Sequence, residues 1–157
     1  MEHGADINKG KNNGATPLYI ACQNGHIDTV KYFVEHGADI NKSTYDGITP
    51  MSIACEKGHI EVVKYLVEHG ADINKENNDG ITPLSIACEK GHIEVVRYLV
   101  YFGADINKED KYGWTLILNA CFNGNIEVVK YLVEHGTDIN KEDNDGNTPL
   151  FIACQNG

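Results

Sequence analysis

Polar residues in the segment IEVVKYLVEH, residues 60–69, recur at helical spacing: Glu61, Lys64 and Glu68 lie three and four apart and form one stripe. Ile60, Val62, Val63, Leu66 and Val67 cover the rest of the surface, so this helix is predicted to be buried on two sides. Ahead of it, Thr49 and Pro50 supply an N-cap and a first helical position that needs no N–H. MSIACEK is therefore predicted as a short helix. Ala54 and Cys55 are small enough for neighbouring helices to approach closely, and Gly58 ends the helix in a backbone conformation that glycine adopts cheaply. Gly70 caps the second helix, and ADINKENNDG leads through a short extended segment to a turn at Asp79 and Gly80.

This two-helix pattern repeats every 33 residues. DGITPMSIACEKGHIEVVKYLVEHGADINKE begins at Asp46, and DGITPLSIACEKGHIEVVRYLVYFGADINKE begins at Asp79. Gly14, Gly47, Gly80, Gly113 and Gly146 mark the period, giving four complete units at 12–44, 45–77, 78–110 and 111–143, with fragments at 1–11 and 144–157. One unit cannot hide its apolar surface alone, so burial requires stacking on both neighbours. The expected fold is an all-α repeat solenoid of stacked helix-turn-helix units with short β-hairpin loops, spanning 1–157 as a single domain.

Composition narrows what such a stack can do. The 157 residues are 41% hydrophobic and 23% charged, enough for a real core and too ordered for a disordered chain. With 23 acidic against 13 basic residues the net charge is -10, so nucleic acid and anionic membranes are not expected partners. No run approaches the roughly 18 apolar residues of a membrane span, and no leader pattern opens the chain. A soluble, non-secreted, cytoplasmic protein is expected. Cys22, Cys55, Cys88, Cys121 and Cys154 stand 33 apart. If units stack at about a helix diameter, roughly 10 Å, these thiols exceed the ~7 Å reach of a disulfide and are reduced packing residues. The spacing of Cys22 with His26, Cys55 with His59 and Cys88 with His92 offers two ligand types per unit. Zinc wants four converging ligands, so no metal and no cofactor is expected.

The pattern GxTPLxIAxxxGHIEVVxYLVxxGADIN resembles the ankyrin repeat, and TPLYIACQNGHIDTVKYFVEHGADIN (16–41) matches it nearly residue for residue. The family's histidine after TPL is replaced here by Tyr19, Ser52, Ser85, Leu118 and Phe151. The resemblance implies a curved solenoid whose concave face, built from hairpin tips and first helices, holds another protein. Independently, near-identical stacked units offer no pocket where different catalytic groups converge, so an enzyme is not expected. A structural spacer within a longer protein is the alternative to a binding scaffold.

The family's binding positions fall here on the tips Asn13, Asp46, Asp79, Tyr112 and Asp145, and on Ala15, Ile48, Ile81, Trp114 and Asn147 after each tip glycine. The stretch GWTLILNACFNGN (113–125) departs most from the repeat. It places Tyr112, Trp114 and Phe122 where neighbours are polar, aliphatic or small, and Leu118 where they carry serine. Interfaces draw much of their energy from such aromatics. The expected partner site is therefore Tyr112, Trp114, Leu118 and Phe122, extended by Ile48 and Ile81 and flanked by Asp46 and Asp79, with Trp114 as anchor; the alternative is that this unit has drifted and its aromatics fold onto the adjacent hairpin or cover a local defect. The acidic balance points to a partner of basic or mixed charge.

Other departures bear on stability. Leu116 replaces a proline, and Asn119 replaces an isoleucine at a position expected to be buried. Asn119 is expected either to hydrogen-bond across the stack or to mark a weak joint. Tyr101 and Phe102 replace Glu and His at the end of a second helix. They are expected to pack over the joint with the fourth unit, with an exposed outer patch as the alternative. Met1 takes a mid-helix position, and FIACQNG stops before a second helix. The expectation is a chain cut from a longer array, or raw ends covered by end-to-end self-association.

Overall fold

A computed structural model describes residues 6–156. Among them are nine helices: α1 (Pro17–Gln23), α2 (Ile27–Glu35), α3 (Pro50–Lys57), α4 (Ile60–Glu68), α5 (Pro83–Lys90), α6 (Ile93–Tyr101), α7 (Leu116–Phe122), α8 (Ile126–Glu134) and α9 (Pro149–Asn156). The odd-numbered helices pack on one another in sequence order, as do α2, α4, α6 and α8, and each odd helix packs on the even one that follows it. The result is a two-layered stack of helix pairs, an all-α solenoid. Met1, whose mid-helix position was argued from the repeat, lies outside the described residues.

The N-caps act as expected. Thr49 and Thr82 hold extended backbone, and their side chains accept from the Ser52 and Ser85 N–H groups. Ala54, Ala87 and Ala120 are fully buried between first helices, which their small size brings close together. Leu66, Leu99 and Leu132, from the second helices, are also fully buried. Each such side chain contributes about 1.5–3 kcal/mol. Cys22, Cys55 and Cys88 lie in this core, Cys121 is half-buried, and Cys154 is exposed; all five are unbridged. Burial pushes the Cys22 thiol up to about 12 and raises Cys55 and Cys88 as well, so these sulfurs stay protonated packing groups.

The hairpin loops are tight turns rather than extended strands. Thr44, Asn77, Asp110 and Asp143 each donate a backbone N–H across the turn, to Ile48, Ile81, Trp114 and Asn147. The one β-bridge among the described residues joins Glu109 and Thr115. Successive turns are linked by backbone bonds of 3.0–3.3 Å: Tyr45 to Asn13, Asn78 to Asp46, Lys111 to Asp79 and Asn144 to Tyr112. Farther along each connection a second ladder runs, in which the N–H groups of Asp39, Asp72 and Asp105 donate to the side-chain oxygens of Asn8, Asn41 and Asn74. These bonds satisfy polar backbone that side-by-side stacking would otherwise leave unpaired.

Neighbouring pairs also interlock through a ring and a glycine. His59 Nε2 donates to Gln23 O at 3.1 Å and His92 Nε2 to Glu56 O at 2.9 Å. In the next pair Asn125 takes over, its side-chain amide donating to Cys88 O and Glu89 O. Each donor lies against Gly25, Gly58 or Gly91, where an added Cβ would come within 2.5–2.7 Å of it. The histidines are thus turned towards carbonyls of the preceding helix, not towards a metal position. No cluster of three or more potential metal ligands occurs among the described residues.

Three expectations are corrected. Leu118 is fully buried and presents nothing to a partner. Its position faces inward, as Ser52 and Ser85 do, whose hydroxyls bond to Thr49 and Thr82 at 2.9 Å. Asn119 neither bonds across the stack nor sits in the core: it is half-buried, and its amide donates to Thr115 O in its own helix. Tyr101 and Phe102 do not cover the joint with the next pair; the alternative holds, and both are exposed, Tyr101 at 84%.

Candidate functional site

The turn before α7 positions the aromatic residues. One side-chain oxygen of Asp110 accepts from the Tyr112 and Trp114 N–H groups at 2.8 and 2.9 Å, which fixes the backbone on both sides of Gly113. Gly113 itself has φ 77°, and a Cβ there would meet the Asn144 side chain at 2.6 Å, so only glycine lets the next turn dock. From this turn the Trp114 ring meets Phe122 edge-to-face, with centroids 5.4 Å apart at 70°. Phe122 closes α7 and Trp114 precedes it, so this ring contact spans the helix.

Trp114 is half-buried, whereas Tyr112 and Phe122 are 56% and 47% exposed. Such an arrangement leaves ring surface open on a backbone already held rigid, which lowers the ordering cost of binding. The Tyr112 ring lies 5.1 Å from Lys111 Nζ, and that ammonium also pairs with Asp79 of the preceding turn. Asp79 is therefore engaged within the chain, while Asp46 stays exposed. Ile48 and Ile81 are half-buried, and Ile48 packs against the core. The structure thus joins Trp114 to Phe122 and Tyr112 to Lys111 and Asp79, and it removes Leu118 from the surface.

Lys111 was not singled out in the sequence, although it is the residue through which two turns share charge. Its signal was available: neighbouring units place Tyr45, Asn78 and Asn144 there, none of them cationic. Ion pairs between successive units also join Lys108 to Glu76 at 2.8 Å and Lys141 to Glu109 at 3.2 Å. At the C-terminal ends of α2, α4 and α8, His36, His69 and His135 donate from Nδ1 to the last-turn carbonyls of Tyr32, Tyr65 and Tyr131. Their rings lie on those same tyrosines at about 4 Å.

A family model for ankyrin repeats, in three copies, matches residues 1–44, 42–110 and 102–157. The chain belongs to the ankyrin repeat family. No curated protein matches it. Ankyrin repeats are generally protein–protein interaction modules, and the proteins built from them are typically non-enzymatic scaffolds. In this ankyrin stack no histidine follows TP-x; in α3 and α5 a serine stands there and bonds to the capping threonine. None of its helices, among the described residues, is long and apolar enough to cross a membrane.

Proposed function

We propose that this ankyrin domain, read as one unit over 1–157, holds a partner protein on the face formed by its turns and first helices. The observation that carries the reading is the Trp114–Phe122 pair, partly open and set on a rigid turn beside exposed Tyr112. Trp114 is the anchor and Phe122 its wall. Tyr112 adds an amphipathic contact, Ile48 and Ile81 extend the apolar row, and Asp46 gives it an acidic border, whereas Asp79 is neutralised by Lys111. With a net charge of -10, the face suits a partner of basic or mixed charge. The five unbridged thiols support action in a reducing compartment such as the cytoplasm.

The test compares affinity capture by the native chain and by a Tyr112, Trp114 and Phe122 triple-alanine variant whose fold is verified by circular dichroism. Retention of a protein by the native chain alone supports this site; equal retention by both chains, or none by either, overturns it. With that protein in hand, Trp114→Ala is expected to weaken binding by ~2 kcal/mol or more. Its cost in stability should be smaller, ~1 kcal/mol, because it loses one edge-to-face contact from a half-buried position.

A further inference from the structure

The repeats beginning at Asp46 and Asp79 are near copies, so the few positions where they differ are informative. Over DGITP…INKE the differences are Met51 to Leu84, Lys64 to Arg97, Glu68 to Tyr101 and His69 to Phe102. The first is an exchange within the core. The other three fall together on the outer surface of α6, around an open, mainly apolar hollow of about 500 Å³ between α4 and α6. Tyr98, Tyr101 and Phe102 form its aromatic wall, with Phe102 4.6 Å from Tyr98 and 5.2 Å from Tyr101 between ring centroids.

Each change carries a local cost or releases a charge. Phe102 keeps the ring position of His36, His69 and His135 but lacks the N–H that they donate to a helix-end carbonyl. Tyr101 stands where Glu35, Glu68 and Glu134 stand, which removes a negative charge and exposes a large ring. In α4 and α8 the lysine pairs with the glutamate one turn before it, Lys64 with Glu61 and Lys130 with Glu127, both at 2.9 Å. Arg97 makes no such pair with Glu94. Its guanidinium lies over the Tyr131 ring at 4.8 Å, and on the rim neither Glu94 nor Arg97 has an ionic partner among the described residues.

We propose that this patch is the interface of a two-fold dimer of this chain. A two-fold contact must be self-complementary, since each surface meets its own copy. The patch satisfies this condition: Arg97 of one copy can reach Glu94 of the other on both sides of a shared aromatic centre. Two chains of charge -10 repel over most of their surface. The exchange of Glu for Tyr101 lowers that repulsion at the point where apolar area is gained. Lys64, already paired with Glu61, completes the rim. This interface lies on the second-helix layer and is separate from the partner face.

The test is sedimentation of the full chain over a wide concentration range at physiological salt. A concentration-dependent dimer is expected. Tyr101→Glu with Phe102→His restores the residues of the neighbouring repeats, so the variant should fold, and it should remain monomeric. Arg97→Glu alone should raise the dissociation constant by about tenfold or more, through like charges brought together. Combining it with Glu94→Arg should recover the dimer, which loss of folding would not allow. A native chain monomeric throughout, or a dimer that survives the Tyr101 and Phe102 changes, overturns the proposal. Capture of a protein through the Trp114 site should be unaffected by these variants.

Discussion

Gly58 and Gly70 end the two helices of one repeat with similar backbone, φ 71° and 84°, yet their surroundings differ. A Cβ on Gly70 would meet nothing within 4 Å, whereas one on Gly58 would lie 2.6 Å from the His92 ring. Gly70→Ala should therefore cost only the left-handed strain, ~1–2 kcal/mol. Gly58→Ala should cost ~1–3 kcal/mol more, because the ring that caps the preceding helix must move. Urea unfolding of the two variants measures the difference; equal losses would show that His92 swings aside freely. The sequence displayed this glycine in all four complete units and this histidine in three, with Asn125 in the fourth. It did not display their pairing, since they sit in different units, and a strict repeat hides which copy touches which.

At the scale of the element, α7 shows how far capping outweighs composition. It lacks the proline of α1, α3, α5 and α9, yet it starts at the equivalent residue because Thr115 adopts φ -88° and ψ 166°, against -89° and 166° at Thr49. The cap bond is longer, 3.4 Å from Leu118 N compared with 3.1 Å in α3. Asn119 adds a polar group where Ile53 and Ile86 are buried. Amide exchange is expected to be faster in α7 and α8 than in α3 to α6, and slower exchange there would contradict this. Asn119→Ile should stabilise by ~1 kcal/mol, read as a raised melting temperature, since it exchanges a locally satisfied amide for burial. The positions of helices were legible in the sequence because caps and glycines are local signals. The inward turn of Leu118 was not, because a side chain's direction near a helix N-terminus depends on the neighbour packed against it.

For the whole molecule, charge and stacking act against each other. The ion pairs joining successive units involve side chains roughly one-third to one-half exposed, and such pairs are worth ~0–1 kcal/mol each. Against them stands the repulsion of a net charge of -10. Moderate salt screens both, and the melting temperature is expected to rise between low and physiological ionic strength as the repulsion weakens. A fall would show that the ladder of ion pairs contributes more than its exposure suggests.

The sequence by itself determined the repeat, its helix pairs, the capping residues and the place where the pattern is broken. All of these follow from spacing and from the conformational preferences of single residues. Tertiary structure decided which deviations reach the surface. The Trp114 and Phe122 rings meet along α7, Asp79 is occupied by Lys111 of the next unit, and Tyr101 and Phe102 face outward. Each outcome depends on which neighbour fills the adjoining space, and that information belongs to the stack, not to the repeat.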